Sequence, residues 1–225
     1  MSSADTATRI VLIHATAVSI APIRAAFEAQ WPEAETVNLL DDSLSRDLNS
    51  GTVEYHEIEE RILQLAVYGE KLGAGGLLFS CSAFGTAIDN AKRRLPIPVL
   101  KPNEAMFEQA LGRGGKIGMI ATFKPSIPSM EQEFYALAEE RGTSVSLESI
   151  LVEEAMSALG RGELETHNRL IREACTVFAG YETVMLAQFS ASQAAADVEA
   201  ELGCMVLTSP HSAVKKLHGL LAGRG

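Results

Sequence analysis

LLFSCSAFGTAIDNAKRRLPIPVL (residues 77–100) and VMLAQFSASQAAADVEAELGCMVL (residues 184–207) are the two stretches on which the fold turns. Each opens on an apolar run of strand length and passes through a turn of small and hydroxyl residues. Each then continues at helical spacing and ends in a second short apolar run. Leu95 falls on Leu202, an offset of 107 residues. The same offset sets Gln188 where Cys81 stands. This is the mark of an internal duplication.

The pattern extends outward from both stretches. Residues 9–16 (RIVLIHAT) predict a buried strand, Ile20–Gln30 a helix, Glu35–Leu40 a strand, and 53–72 a helix. After the strand at 75–81 and its helix come a short strand at 98–101 and a helix at 103–111. GRGG at 112–115 interrupts the order, which then restarts. Residues 116–123 (KIGMIATF) echo 9–16, and a helix (126–141), a strand (145–152) and a helix (163–178) follow. Strands alternating with helices of this length predict βαβ units and parallel sheet. The fold class read from this order is α/β, with two pseudo-symmetric Rossmann-like lobes, mainly parallel sheets and a cleft between them. The lobes are 1–111 and 116–225, with the last helix free to pack back on the first lobe. Ligands of such sheets bind beyond the carboxyl ends of the strands, where the strand–helix turns lie.

Composition narrows the function. Of 225 residues, 47% are hydrophobic and 21% charged, which excludes disordered and fibrous classes. Nineteen basic against twenty-nine acidic residues give a net charge of −10, so nucleic acid is not the expected partner. Residues 1–8 lack the charged-then-apolar layout of a secretion signal, and no apolar run approaches ~20 residues, so no membrane span is predicted and the expected location is cytoplasmic. A homo-oligomer is compatible with all of this.

The familiar cofactor motifs fail on spacing. GAGG at 73–76 precedes a strand instead of following one. GRGGK at 112–116 lacks the first glycine and the Ser/Thr of a phosphate loop. His56-Glu57 is followed by Glu60, which breaks HExxH, and the five histidines show no ligand spacing. No GxSxG elbow is present. The reading therefore includes no metal and no cofactor.

Cys81 is the first candidate site residue. It ends an apolar strand and precedes Ser82-Ala83-Phe84-Gly85 at a helix start, where free backbone N–H groups lower a thiol pKa and bind anions. A buried core cysteine is the plainer alternative. Cys175 and Cys204 read as structural. At the carboxyl end of the first strand lie His14 and Thr16, and at the equivalent place in the second half lie Thr122, Phe123 and Lys124. Ser19 and Ser126 are candidate helix caps.

The strand–Cys–Ser–Ala–Phe–Gly–helix turn, followed by IPVLKPNEAMFEQAL, resembles the first catalytic turn of the aspartate/glutamate racemase superfamily. That superfamily includes hydantoin racemases, maleate isomerases and arylmalonate decarboxylases. The resemblance implies cofactor-independent chemistry at the carbon beside a carboxylate, and a small carboxylate as the binding partner. Racemases of the family place one cysteine in each half, on opposite faces of the substrate. Here Gln188 takes the second place, and an amide cannot exchange a proton at neutral pH. Two-base racemisation is thereby put in doubt. The resemblance further implies that Ser82, Ala83, Phe189 and Ser190 offer backbone N–H groups to the carboxylate. Thr16, Thr122 and Gln188 would add side-chain hydrogen bonds.

Three readings follow. One is a single-cysteine isomerase or decarboxylase. Another is a racemase pairing Cys81 with a second acid such as His14 or His211. The third is a silent carboxylate binder that kept the fold.

Overall fold

RIVLIH forms β1 (Arg9–His14), in which five of six residues are buried. A strand apolar on both faces must be covered on both, which places it inside a parallel sheet. β1 pairs in parallel with β2 (Glu35–Leu40) and β3 (Gly76–Phe79), and β3 with β4 (Val99–Leu100), giving the order β2-β1-β3-β4. β2 is the edge strand and none of its residues is fully buried. The second sheet repeats the first: β5 (Lys116–Ala121), β6 (Ser146–Leu151), β7 (Thr183–Leu186) and β8 (Met205–Thr208) lie in the order β6-β5-β7-β8, all parallel. The computed structural model describes residues 7–222. Residues 1–6, which carry most of the reading of the N-terminus, and 223–225, the end of the expected second lobe, lie outside the described residues.

Ten helices complete the described chain: α1 (Ile20–Gln30), α2 (Ser43–Ser50), α3 (Tyr55–Lys71), α4 (Gly85–Arg94) and α5 (Glu104–Arg113), then α6 (Ile127–Glu140), α7 (Glu153–Gly160), α8 (Leu164–Cys175), α9 (Ala195–Leu202) and α10 (Ser209–Ala222). The duplication is visible in the numbering. β1 and β5 start at 9 and 116, α1 and α6 at 20 and 127, β3 and β7 at 76 and 183, always 107 apart. Register follows suit, with Ile10 opposite Gly76 and Ile117 opposite Thr183. The architecture is therefore the expected α/β pair of parallel sheets. Among the described residues, no helix is long and apolar enough to cross a membrane.

By internal contacts the chain divides into Met1–Pro102 with Ala213–Gly225, and Asn103–Ser212. The sequence sets the break at 112–115, whereas α5 belongs to the second unit. The reason is its apolar face: Met106, Phe107, Ala110 and Leu111 join Ile117, Met119, Met130 and Phe134 in one core cluster. Phe107 meets Phe134 edge-on at 5.5 Å. α10 begins in the second unit and ends in the first. In the first unit Leu217 and Leu221 approach Gly76 so closely that a Cβ there would meet Leu217 at 3.0 Å. His218 stacks on Trp31 at 4.6 Å.

The GRGG stretch has its own task. Gly114 and Gly115 adopt φ of 70° and 78°, and a Cβ on Gly115 would lie 2.9 Å from the Glu182 carboxylate. That carboxylate accepts the Lys116 N–H at 2.9 Å, fixing the start of β5. α2 and α7 were not anticipated. SLSRDLNS is rich in residues that favour turns, and it is held as a helix by tertiary contacts. Arg61 of α3 reaches Asp47 at 2.7 Å and Asp41 at 2.6 Å, while the Asp41 carboxylate also takes the Ser43 hydroxyl and N–H.

Candidate functional site

In the first unit, β3 delivers its chain through Ser80 to Cys81. Cys81 is extended (φ −119°, ψ 126°) and caps a 3-10 turn, Ser82–Phe84, that runs into α4. The thiol is half-buried against the core of the unit. The Ala83 backbone and the Ser45 side chain of α2 favour its ionised form, and the Ser45 hydroxyl itself donates to the Ala15 carbonyl at 3.4 Å. Burial nevertheless pushes the Cys81 thiol up, against both. The strand–helix turn had suggested a lowered pKa. Desolvation outweighs these two influences, so the turn does not lower the thiol pKa as its helix start alone would. Ser82 is half-buried and Ala83 exposed.

Next to Cys81 lies a buried polar network. His14, at the end of β1, is fully buried, with Nδ1 2.8 Å from Ser80 Oγ and 3.0 Å from Ser19 Oγ. Nε2 sits 2.9 Å from Asn38 Oδ1 on β2. Ser19 Oγ is 2.8 Å from Ser80 Oγ and donates to the Thr16 carbonyl at 2.9 Å. Burial lowers the His14 pKa, with the Asn38 bond acting in the opposite direction. Both ring nitrogens are thus engaged by protein groups. Thr16 is half-buried in the turn just outside.

The second unit builds the matching turn differently. Gln188 Oε1 accepts the Thr122 N–H at 2.8 Å and the Thr122 hydroxyl at 3.2 Å. Its Nε2 donates to Ser126 Oγ at 2.9 Å. Both ends of the amide are therefore occupied within the unit. Thr122, Phe189 and Ser190 are buried, whereas Phe123 and Lys124 are exposed. Ser190 begins a second 3-10 segment, Ser190–Ala194, in which the Ala191 and Ser192 N–H groups donate to the Gln188 and Phe189 carbonyls at 3.0 and 3.2 Å. His211 is exposed in the first turn of α10, its Nδ1 2.9 Å from Thr208 Oγ1.

Ser19 and Ser126 do not cap their helices. Each is already in the helical region and precedes a helix that a 3-10 turn leads into. Each donates instead to the carbonyl three residues back, Thr16 at 2.9 Å and Phe123 at 2.8 Å. Sequence reasoning missed Asn38, Ser45 and Ser80. The 107-residue equivalence of Ser19 and Ser126 was the one available signal for this layer; Asn38 had none. Among the described residues, no group of three or more His, Cys, Asp or Glu side chains could hold a metal ion.

The profile of the Asp/Glu/hydantoin racemase family matches residues 10–217. The chain belongs to that family. It is accordingly an enzyme of the racemase superfamily. Similar solved structures include a glutamate racemase from Bacillus anthracis, with a TM-score of 0.75 at 16% identity over 98% of this chain and 84% of that one. An aspartate racemase homologue from Pyrococcus horikoshii OT3 gives 0.72 at 18% identity, over 96% and 99%. Allantoin racemase from Klebsiella pneumoniae gives 0.70 at 17% identity, over 97% and 89%. At these identities the likeness is one of fold. No curated protein matches the sequence. Within the racemase family pattern, this member carries a cysteine in its first turn and a glutamine in its second.

Proposed function

We propose that this racemase-family protein is a cytoplasmic, cofactor-independent enzyme acting at the carbon alpha to a carboxylate, with Cys81 as its single site thiol. The observation that carries the reading is the unequal pair at the 107-residue offset. Cys81 is a half-buried thiol at a strand–helix turn, whereas Gln188 spends its amide on Thr122 and Ser126. An enzyme with one such thiol protonates carbon from one face, which suits an isomerase or a decarboxylase better than inversion. In the decarboxylase form, the carbon–carboxylate bond breaks and carbon dioxide leaves. The electron pair stays as an enolate, the Cys81 proton goes to carbon, and solvent reprotonates the thiolate. The Ser82 N–H and the Thr16 hydroxyl bind the remaining carboxylate, as helix-start donors do.

A related solved structure, glutamate racemase from Francisella tularensis, is a complex with D-glutamate, and small carboxylates are accordingly the substrates to try. The test is a panel of substituted malonates, maleate, amino acids and hydantoins incubated in deuterium oxide and followed by NMR. Turnover should label one carbon from one face, and Cys81→Ala should abolish it with an unchanged circular-dichroism spectrum. Full turnover by Cys81→Ala overturns the reading. Label entering both enantiomers would favour racemisation instead, with His211, the exposed imidazole, as second acid.

A further inference from the structure

The contacts around His14 fix where its hydrogens must lie. Four short contacts meet there: Nδ1 with Ser80 Oγ, Nδ1 with Ser19 Oγ, the two hydroxyls with each other, and Ser19 Oγ with the Thr16 carbonyl. A carbonyl can only accept, so the Ser19 hydrogen goes to Thr16. Ser19 Oγ then has only lone pairs to offer Ser80, so Ser80 donates to Ser19. Ser80 Oγ in turn can only accept from the ring, and Nδ1 must carry a hydrogen shared between the two hydroxyls. With Nδ1 bare, two hydroxyl hydrogens would have to serve four contacts, leaving lone pairs opposed in a buried site, a costly arrangement.

We propose that His14 is the positioning residue of the catalytic turn, a neutral Nδ1–H imidazole heading a one-way hydrogen-bond chain through Ser80 and Ser19 to the Thr16 carbonyl. The chain ties the end of β1, the residue next to Cys81 and the turn bearing Thr16 into one rigid group. Burial opposes a charge on the ring. A neutral ring of this kind leaves Nε2 as acceptor, which requires the Asn38 amide to present its NH2 end where the structure places Oδ1, 2.9 Å away. His14 thus acts through Ser80 and does not itself touch substrate. The second unit reaches the same end by another route, since Gln188 at the Cys81-equivalent position holds Thr122 and Ser126 directly. Moving the lock from position 81 to His14 and Ser80 is what leaves position 81 open to a thiol.

The inference deepens the proposed function, because it assumes that Cys81 is the reacting thiol, and its test is independent of turnover. Long-range proton–nitrogen NMR on the full-length protein at neutral pH should show His14 protonated at Nδ1 alone. A bare Nδ1, or a doubly protonated ring, overturns the chain. Two variants then test the positioning. In His14→Asn the amide nitrogen takes the place of Nδ1 and keeps the donor; in His14→Gln it takes the place of Nε2 and loses it. Iodoacetamide labelling of Cys81, mapped by peptide mass spectrometry, should proceed about three-fold or more faster in His14→Gln as the turn opens to water, and within about two-fold of the parent in His14→Asn. Equal rates in all three proteins, or equal acceleration in both variants, would overturn the positioning role. If Cys81→Ala kept full turnover while these results held, the proposed function would fail and the His14 chain would stand.

Discussion

Gln188 accepts two hydrogen bonds from Thr122 and donates one to Ser126. Sequence reasoning made this residue a substrate donor, yet its geometry is that of a clamp between the ends of β5 and β7. Gln188→Ala should leave the buried Thr122 N–H without a partner, costing about 1–3 kcal/mol in urea unfolding. An unchanged midpoint would show that the clamp bears no strain. Gln188→Cys, the substitution that the missing second thiol invites, removes the same clamp. It should lose stability to a similar extent, whatever it does for racemisation. Cys81 was legible because a thiol at a strand–helix turn is a rare juxtaposition. Its raised pKa was not legible, because the pKa depends on how much protein closes over the sulfur.

At the scale of elements, α2 shows how a polar segment becomes ordered. Its Ser45 donates to the Ala15 carbonyl, and the helix is fastened by Arg61 to Asp41 and Asp47. Burial pushes the Asp41 carboxyl up, but Ser43 and Arg61 more than offset it and hold the group below its ordinary range. A carboxyl with a lower pKa folded than unfolded stabilises the fold fully above about pH 4 and loses that contribution as pH falls through the folded value. The stability difference between the parent and Asp41→Asn should therefore shrink as pH falls below about 4 in urea titrations. A difference independent of pH would exclude the clamp as its source. Helix–strand packing shows the same dependence on partners. In the first unit Val11 of β1 fits against Gly69 of α3, where an added Cβ would meet its side chain at 3.1 Å. In the second, β5 carries the glycine, and the ring of Phe178 would lie 2.7 Å from a Cβ on Gly118. Large and small have changed sides, so an alignment of the two halves reads as mismatch although each contact is filled.

For the whole molecule, the return of the chain to the first unit is the feature with the largest consequence. Ending the chain after Ser212 would remove the part of α10 that covers Gly75 and Gly76 and stacks on Trp31. Hydrogen–deuterium exchange should then quicken in β1 and β3 while β5 and β7 keep their protection. Equal loss in both sheets would mean that the units do not hold their own stability. The sequence alone determined the two parallel sheets, the repeated succession of strands and helices along the chain and the cysteine turn, because these rest on periodicity and on a 107-residue repeat, both written in the chain itself. Only the tertiary structure decided that α5 joins the second unit, that α2 is a helix, and that His14 and Gln188 are locks. Those outcomes depend on which buried donors and acceptors meet across distant strands. A polar side chain carries no mark in the sequence of the partner that will satisfy it.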